Sequence, residues 1–273
     1  MNIVGLIHPG AMGASVGSAA THNANDVLWA SHGRSPESKA RAKRGNLKDC
    51  DTVACMVKQS EIILSVCPPH AAEDVANEVM ENGFKGIFVE GNAISPARTR
   101  KIALKVQKNS ATFVDGGIIG GPAWEASAGT NFYLSGPEAQ TICDIFRGSP
   151  LNACVVSNEI GSASALKMVF AAYTKGTTAL LTTILAVAKK EGVLANLENQ
   201  WGEAFTDRTY SQVARSTAKA WRFEGEMREI AATFESAGFS GGFHEAAADI
   251  FSRLGVFKET PAQTIGEVLE ELV

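Results

Sequence analysis

The chain has little of what marks a secreted, disulfide-bonded or nucleic-acid-binding protein. Its five cysteines are odd in number and form no C-x-x-C pair, which argues against a disulfide framework. No segment reads as a signal peptide, and together with this cysteine usage that favours a reducing cytoplasm. The formal net charge of -4 gives no reason to expect nucleic acid as a partner.

Long apolar runs and metal-ligand clusters are also lacking. The longest apolar stretch, residues 177–188, is too short to span a bilayer, so we expect no membrane partner. His70 and His244 have no other ligands at metal-binding spacing, and we predict no metal site. A composition of 45% hydrophobic and 20% charged residues is that of an ordinary globular protein, and 273 residues allow one large or two ordinary domains.

A glycine-rich turn near the start is the first positive signal. An apolar run ends at Ile7 and is followed by His8-Pro-Gly-Ala-Met-Gly13, a strand–turn–helix pattern. Two of its glycines fit the second and third glycines of a dinucleotide-binding βαβ unit, whereas His8 takes the place of the first. The alternative is a glycine turn that merely begins a helix. We predict cofactor contacts at Gly10, Ala11, Met12 and Gly13.

The residues after the second predicted strand, Asp26–Ala30, indicate which cofactor to expect. An NAD-selective site places an acidic residue near the end of this strand to bind the ribose 2′-hydroxyl. Here Ser31, Arg34 and Ser35 follow instead, and an arginine with two hydroxyl groups suits a 2′-phosphate. We therefore predict NADP; the alternative is a solvated loop with an unrelated arginine.

Five further apolar runs complete the predicted sheet, at residues 61–66, 86–90, 111–114, 131–134 and 153–156. Helical patterns separate most of them. This predicts an α/β Rossmann domain with a doubly wound, mostly parallel sheet over residues 1–158. Ligands bind beyond the carboxyl ends of the strands in such sheets, so the loops after these strands should line one crevice.

One stretch, residues 160–191, separates this pattern from the rest of the chain. It contains no proline and is apolar around most of its circumference, which predicts a long buried helix. Lys167 and Lys175 lie on it, and each must snorkel, pair or face a cavity because an unpaired buried ammonium is very costly. Two interpretations stay open: both lysines snorkel at an edge, or Lys167 faces a cleft between two domains.

Only helical patterns follow, at residues 198–206, 208–221, 224–236 and 244–254 and within the last segment, 256–273. We predict an all-α domain over residues 159–273. Its long apolar helix and its tryptophan-bearing helices carry more apolar surface than so small a domain hides, which predicts a homodimer.

Four motifs occur together in one order: Gly10-Ala-Met-Gly13, Cys67-Pro68-Pro69, Phe113-Val-Asp-Gly-Gly-Ile-Ile-Gly-Gly121 and Gly161-Ser-Ala-Ser-Ala-Leu-Lys167. Their order and spacing resemble the β-hydroxyacid dehydrogenase and 6-phosphogluconate dehydrogenase-like superfamily, over nearly the whole chain. Gly33-Arg-Ser-Pro36 adds a likeness to its branch of uncharacterised phosphogluconate-dehydrogenase-like proteins. The resemblance implies a Rossmann domain, an all-helical domain that usually dimerises, and an active site between them for a small-molecule substrate.

The resemblance also implies roles for particular residues. The family's catalytic lysine falls on Lys167, and its cofactor-loop methionine falls on Met12. Further cofactor contacts fall at the ends of two strands, on Val66, Cys67, Pro68 and Asn92. The substrate loop falls on residues 115–121, and the implied substrate contacts are Ile119, Gly120, Gly121 and Ala171.

Two of these positions depart from the family. Ile119 stands in place of a serine and Ala171 in place of an asparagine, and both family residues normally help to hold a carboxylate-bearing hydroxy acid. A less polar substrate is therefore implied. Imine reductases, which reduce C=N bonds, are similar in this loop but usually carry aspartate or tyrosine where this chain has Lys167.

We therefore predict an NADP-dependent oxidoreductase that acts on a hydroxy-acid-like carbonyl/alcohol pair, with Lys167 as general acid/base. An imine reductase is one alternative. A non-catalytic NADP-binding protein is the other, because a fold does not fix a function.

Overall fold

Strands and helices alternate through the first part of the chain, and helices alone follow. The computed structural model describes residues 2–273. The strands are β1 (Ile3–Ile7), β2 (Asp26–Trp29), β3 (Lys48–Asp49), β4 (Ile62–Ser65), β5 (Ile87–Glu90), β6 (Thr112–Ile119), β7 (Asn131–Ser135) and β8 (Asn152–Ser157).

Within residues 2–273, six α-helices lie between the strands, and six more follow the last strand. The first six are α1 (Ala11–Ala20), α2 (Pro36–Arg44), α3 (Val53–Gln59), α4 (Ala72–Glu81), α5 (Pro96–Lys108) and α6 (Ala139–Ile145). The others are α7 (Ser162–Lys190), α8 (Leu194–Trp201), α9 (Glu203–Ser216), α10 (Ala220–Ser236), α11 (Gly242–Arg253) and α12 (Ile265–Leu272). Local sequence explains several starts: Ser35 and Thr52 cap α2 and α3 with their hydroxyl oxygens, and Pro36 and Pro96 begin α2 and α5.

The eight strands form one sheet in the order β3-β2-β1-β4-β5-β6-β7-β8. Strand β7 runs antiparallel to β6, and every other neighbouring pair is parallel. The central strands are buried on both faces, as a parallel sheet covered by helices requires. The prediction of a doubly wound, mostly parallel sheet followed by a helical region is confirmed.

Two apolar cores lie on the two faces of the sheet. On one face, side chains such as Leu6 and Val114 pack in the same core as Val16 of α1 and residues of α6. On the other face, Phe88 and Phe113 stack with ring centroids 6.2 Å apart, in a core that includes residues of α3, α4 and α5. The second face also carries the polar side chains described below.

The sequence interpretation of two strands was wrong. Strand β3 was missed because its two residues, Lys48 and Asp49, are charged and exposed and show no apolar alternation. Strand β6 was predicted to end at Val114, with a loop from Asp115 onwards, but it continues to Ile119. The extension exists because β7 pairs with it from Asp115 to Ile119, and antiparallel pairing satisfies the backbone of the glycines between them.

The chain divides into two compact units. The first ends at Lys167 and the second is Met168–Val273, so the division falls inside α7. The predicted boundary, between residues 158 and 159, precedes the start of that helix. In the second unit α10 packs against α11, with Phe223 and Phe251 edge to face at 5.2 Å and Met227 and Ile230 buried. Among residues 2–273, no helix combines the length and apolar character that crossing a membrane requires.

Candidate functional site

A row of buried polar residues crosses the centre of the sheet near the carboxyl ends of its parallel strands. Ser65, Glu90, Asp115 and Ser135 are each 0% exposed. They are direct neighbours in register on β4, β5, β6 and β7. Directly opposed residues of neighbouring strands present their side chains on the same face, so these four form one polar row within an otherwise apolar core.

Asp115 uses its position in this row to hold the start of α7. Its carboxylate accepts hydrogen bonds from the backbone N–H groups of Gly161 and Ser164, each at 3.0 Å. It also accepts from the hydroxyl groups of Ser164, at 2.5 Å, and Ser135, at 2.8 Å. The Ser135 hydroxyl oxygen in turn accepts from Ala163 N–H at 3.1 Å. The first turn of the helix is therefore capped by two strands of the sheet.

Lys167, the predicted catalytic residue, lies one turn further along α7, against Gly117 of β6. A Cβ atom added to Gly117 would lie 3.0 Å from the Lys167 Cβ and 2.6 Å from the carbonyl oxygen of Ala163. Only a glycine allows this approach. Gly117 lies two residues beyond Asp115, on the same face, whereas β4 and β5 end at residues in register with Asp115. Lys167 therefore starts from a point just past the carboxyl ends of β4 and β5.

The strand ends that the resemblance assigned to the cofactor are joined through Asn92. The Asn92 side chain accepts from Cys67 N–H at 2.5 Å and donates to the Ser65 hydroxyl at 3.1 Å. Cys67 follows β4 with Val66 and Pro68, so Asn92 links two neighbouring loops. Burial raises the pKa of the Cys67 thiol to about 12, so this cysteine is a neutral side chain rather than a nucleophile.

Glu90 lies in the loop region that the resemblance aligns with a family motif, but it is not among the predicted site residues, and its pKa is strongly perturbed. Burial, with a further contribution from the Asp115 charge, raises its pKa to about 8. One carboxyl oxygen accepts from Asn92 N–H at 3.1 Å, and the other, Oε2, has no hydrogen-bond partner. A pKa of about 8 means that Glu90 is protonated at neutral pH.

The glycine turn has the geometry that a diphosphate requires. Gly10 is the N-cap of α1 and no side chain caps this helix, which leaves its first N–H groups for an anion. A Cβ at Gly10 would meet nothing within 4 Å, whereas a Cβ at Gly13 would collide with the carbonyl oxygen of His8. His8 itself adopts a left-handed conformation, with φ of 66°, so it performs the turn that the first glycine normally makes. Ala11 and Met12 lie in the first turn of α1.

The predicted 2′-phosphate residues differ in how they are engaged. The Arg34 Nε atom is buried without a hydrogen-bond partner, and burial together with the Arg34 charge lowers the pKa of His8 to about 4. Ser35 is already the cap of α2, accepting from Ser38 N–H at 3.3 Å. A second guanidinium, Arg41, donates to the carbonyl oxygen of Pro9 at 3.0 Å. Sequence reasoning missed Arg41 because its place beside the glycine turn depends on the packing of α2.

An acidic residue also lies at this end of the site. Burial opposes ionisation of Asp49, but hydrogen bonds from Ser31 and Asp51 outweigh it and lower the Asp49 pKa. Ser31, which follows β2, therefore donates a hydrogen bond to the carboxylate of Asp49 in the short strand β3. The sheet order places Asp49 of β3 next to the end of β2, where the sequence itself has no acid.

The predicted substrate residues lie on two elements. Ile119 is the last residue of β6, and Gly120 follows with φ of +133°, close to Thr130. The Thr130 hydroxyl donates to the carbonyl oxygen of Gly121 at 2.7 Å, which fixes this turn. Ala171 is buried on α7, in the second unit, and offers no polar group.

Lys175 does not snorkel. It forms an ion pair with Glu226 of α10 in which both side chains are 13% exposed, and its ammonium lies 4.8 Å from the centre of the Phe223 ring. The open interpretation of Lys175 as an edge residue is therefore wrong: packing of α10 against α7 provides a partner. Among residues 2–273 no group of three or more histidine, cysteine, aspartate or glutamate side chains is arranged to hold a metal ion.

Comparison with known proteins adds two family matches. Residues 3–145 match the NAD binding domain of 6-phosphogluconate dehydrogenase, and residues 188–254 match a domain of unknown function, DUF1932. An uncharacterised 28.5 kDa protein in the 7S RNA 5′ region of Methanothermus fervidus is 32% identical over 203 residues. The match covers 72% of this chain and 77% of that protein.

Solved structures share the fold along the chain. The 3-hydroxyisobutyrate dehydrogenase of Salmonella typhimurium is 16% identical, with a TM-score of 0.70 over 98% of this chain and 99% of its own. An imine reductase from Myxococcus stipitatus, in complex with NADP+, is also 16% identical, with a TM-score of 0.56 over 100% and 99%. A variant of the same reductase is in complex with NAD+. At these identities the likeness is one of fold.

Proposed function

The chain belongs to the family of the NAD-binding domain of 6-phosphogluconate dehydrogenase, and on that premise we propose that it is an NADP-dependent carbonyl/alcohol oxidoreductase. The coarser class, a hydroxyacid-dehydrogenase-like oxidoreductase that binds a nicotinamide cofactor, follows from the family itself. NADP, the role of Lys167 and the nature of the substrate are the proposed part. Five cysteines without paired spacing support the cytoplasm as its compartment.

One observation carries the proposal: Lys167 is held over Gly117, just past the ends of β4 and β5. The uncapped start of α1 and the space in front of Gly10 fit a dinucleotide diphosphate, and the loops joined by Asn92 suit the nicotinamide end. The cofactor, when bound, supplies or accepts a hydride. The chain must then manage the proton at the substrate oxygen.

Lys167 has the chemistry for that proton. In the reducing direction its ammonium donates to the carbonyl oxygen as negative charge develops there, and in the oxidising direction its amine accepts the hydroxyl proton. The hydrogen bonds of Asn92 join the loops that follow β4 and β5, so these loops are held in fixed positions for the reacting groups. Cys67 stays a neutral thiol because burial raises its pKa to about 12.

The substrate we propose is less polar than a small hydroxy acid. Ile119 and Ala171 replace the two polar side chains that the resemblance leads one to expect, and neither can bind a carboxylate. Backbone N–H groups of Gly120 and Gly121 are the remaining donors on that loop. An imine substrate is the second candidate, supported by the shared fold of the imine reductase.

The decisive experiment follows NADPH oxidation with a panel of ketones, aldehydes and cyclic imines. We expect turnover of a carbonyl substrate, and we expect Lys167→Ala to lower kcat by roughly 10²–10⁴-fold, the usual contribution of general acid–base catalysis. The Kd for NADPH should change little. Turnover of imines alone would favour the second candidate, and a protein that binds NADPH without any turnover would favour a non-catalytic role.

The matched control for this variant lies on the same helix. Lys190 is exposed in the last turn of α7, so Lys190→Ala should leave kcat at the wild-type value. If Lys167→Ala retained wild-type turnover, the acid/base role would be refuted whatever the substrate.

We also propose a homodimer built on α7. Val169, Tyr173, Leu180 and Val187 are exposed apolar residues spaced by four or seven positions along this helix, which places them on one stripe. Leu180 and Val187 also line a groove of about 380 Å³, formed mostly by apolar side chains of α7, α8 and the turn between them. A second copy is the partner that such a stripe suits, because like stripes can pair about a two-fold axis.

A further inference from the structure

We propose that Asp115 is a positioning residue for Lys167, acting through Ser164, an inference that rests on the proposed function. Asp115 lies on β6 and belongs to the buried polar row, so its own position is set by the sheet. Its carboxylate receives two backbone N–H groups and one hydroxyl group from residues 161–164. The start of α7 is therefore fixed to a rigid strand.

The side chains of the sheet supply most of the acceptors at the start of α7. Gly161 adopts a φ of +101°, a conformation that favours glycine, and it faces the guanidinium of Arg100. The orphan N–H groups of a first helical turn need acceptors: Ser162 N–H donates to the Glu159 carbonyl oxygen just before the helix, whereas Ala163 N–H and Ser164 N–H donate to the Ser135 and Asp115 side chains of the sheet. Hydrogen bonds to the sheet therefore fix the position of α7 along its axis and its rotation about that axis.

Ser164 transmits that setting to Lys167. The two residues are three positions apart, so they lie on one face of the helix, separated by roughly 4.5 Å along its axis. The Ser164 hydroxyl donates to Asp115 and accepts from Thr99 at 2.8 Å, which ties the helix to β6 and α5 together. The close approach of Lys167 to Gly117 is a second place where the helix lies against β6. A small rotation at Ser164 would move the lysine side chain relative to the strand ends.

The expected effect is kinetic. Misplacing a catalytic group by about 1 Å can cost about 10²-fold in rate. Ser164→Ala removes one hydroxyl with little change in shape, and we expect kcat to fall by roughly 10- to 100-fold while the NADPH Kd stays within about twofold. Asp115→Asn should lower kcat further, because its amide group would oppose the N–H donors of the helix.

A double-mutant cycle separates positioning from general support of the fold. Ser164→Ala and Asp115→Asn are each combined with Lys167→Ala. If they act through the lysine, neither should lower the residual kcat of Lys167→Ala further, since the group they position is gone. The control is Thr182→Val, which removes a buried hydroxyl of the same helix that bonds only to the Thr178 carbonyl; its kcat should match wild type.

Two results would overturn the inference. One is an unchanged kcat in Ser164→Ala, and the other is the same fractional loss in the presence and absence of Lys167. Should Asp115→Asn fail to fold, Ser164→Ala alone decides the question. Failure of the proposed function looks different: Lys167→Ala would then turn over like wild type, or the wild type would turn over nothing, and both ideas would fall together.

Discussion

Glu90 makes the stability of the protein depend on pH in an unusual direction. Its pKa is raised from 4.5 to about 8, so below pH 4.5 both the folded and unfolded chains hold this proton. Between those two values the unfolded chain releases the proton and the folded chain keeps it. The contribution of Glu90 to the free energy of unfolding therefore falls as pH rises through this window and levels off above about pH 8.

The magnitude follows from the size of the displacement. One pKa unit corresponds to about 1.4 kcal/mol, so a displacement from 4.5 to about 8 sets an upper bound of about 5 kcal/mol. Relaxation of the fold and entry of water reduce such penalties. We therefore expect the contribution of Glu90 to lower the free energy of unfolding by about 1–3 kcal/mol between pH 4.5 and pH 9. Glu90→Gln should abolish this part of the pH dependence, because its side chain keeps the acceptor for Asn92 N–H and cannot ionise.

The assay is urea unfolding of wild type and Glu90→Gln at pH 5, 7 and 9. In Glu90→Gln the new amide N–H group takes the place of Oε2, which has no hydrogen-bond partner. The free energy of unfolding of the variant can therefore differ from that of wild type by the same amount at every pH. The informative quantity is therefore how the difference in free energy of unfolding between Glu90→Gln and wild type changes with pH. The variant should become increasingly more stable than wild type towards pH 9. The control, Glu78→Gln, alters an exposed glutamate of α4 and should leave the profile unchanged. Parallel profiles for wild type and Glu90→Gln would refute a buried, protonated Glu90.

Three further predictions concern the cofactor, the ion pair of the helical unit and the assembly. Arg34→Ala should weaken NADPH by about 1.5–3 kcal/mol and NADH little, whereas Asp49→Asn should strengthen NADPH by removing a like charge; equal affinity of wild type for both cofactors in a titration would contradict this. Lys175→Ala leaves the Glu226 carboxylate mostly buried and should cost about 3 kcal/mol in thermal or urea unfolding, and an unchanged midpoint would show the pair to be dispensable. Light scattering should give about twice 28.8 kDa for wild type and a monomer for Leu180→Glu, and a wild-type monomer would exclude the proposed dimer.

Sequence reasoning succeeded where the signal was local. The turn from Ile7 to Gly13 and the long helix around Lys167 are encoded by neighbouring residues, by glycine spacing in one case and by an unbroken apolar pattern in the other. The end of strand β6 was predicted wrongly, because the two glycines after Asp115 suggested a loop. The antiparallel pairing that keeps those glycines in a strand involves residues of β7 much later in the chain.

The polar row could not be predicted from the sequence. Its four residues come from four strands, and each by itself is an unremarkable serine or acid near the end of an apolar run. Only the register brings Glu90 beside Asp115, and the pKa of Glu90 is raised by burial that its local sequence does not reveal. The Lys175–Glu226 ion pair and the Ser31–Asp49 hydrogen bond were not predicted for the same reason, because each joins elements that are distant in sequence.

The cap of α7 has a consequence for the order of folding. Its acceptor, Asp115, is 46 residues from Gly161 and 49 from Ser164 along the chain. Contacts that close such long loops form slowly, because the entropy of closure must be lost before the hydrogen bonds are gained. The first turn of α7 should therefore remain frayed until β6 and β7 have paired. The segment that carries Lys167 would then be among the last parts of the protein to become ordered, and the sheet would be complete before the lysine is in place.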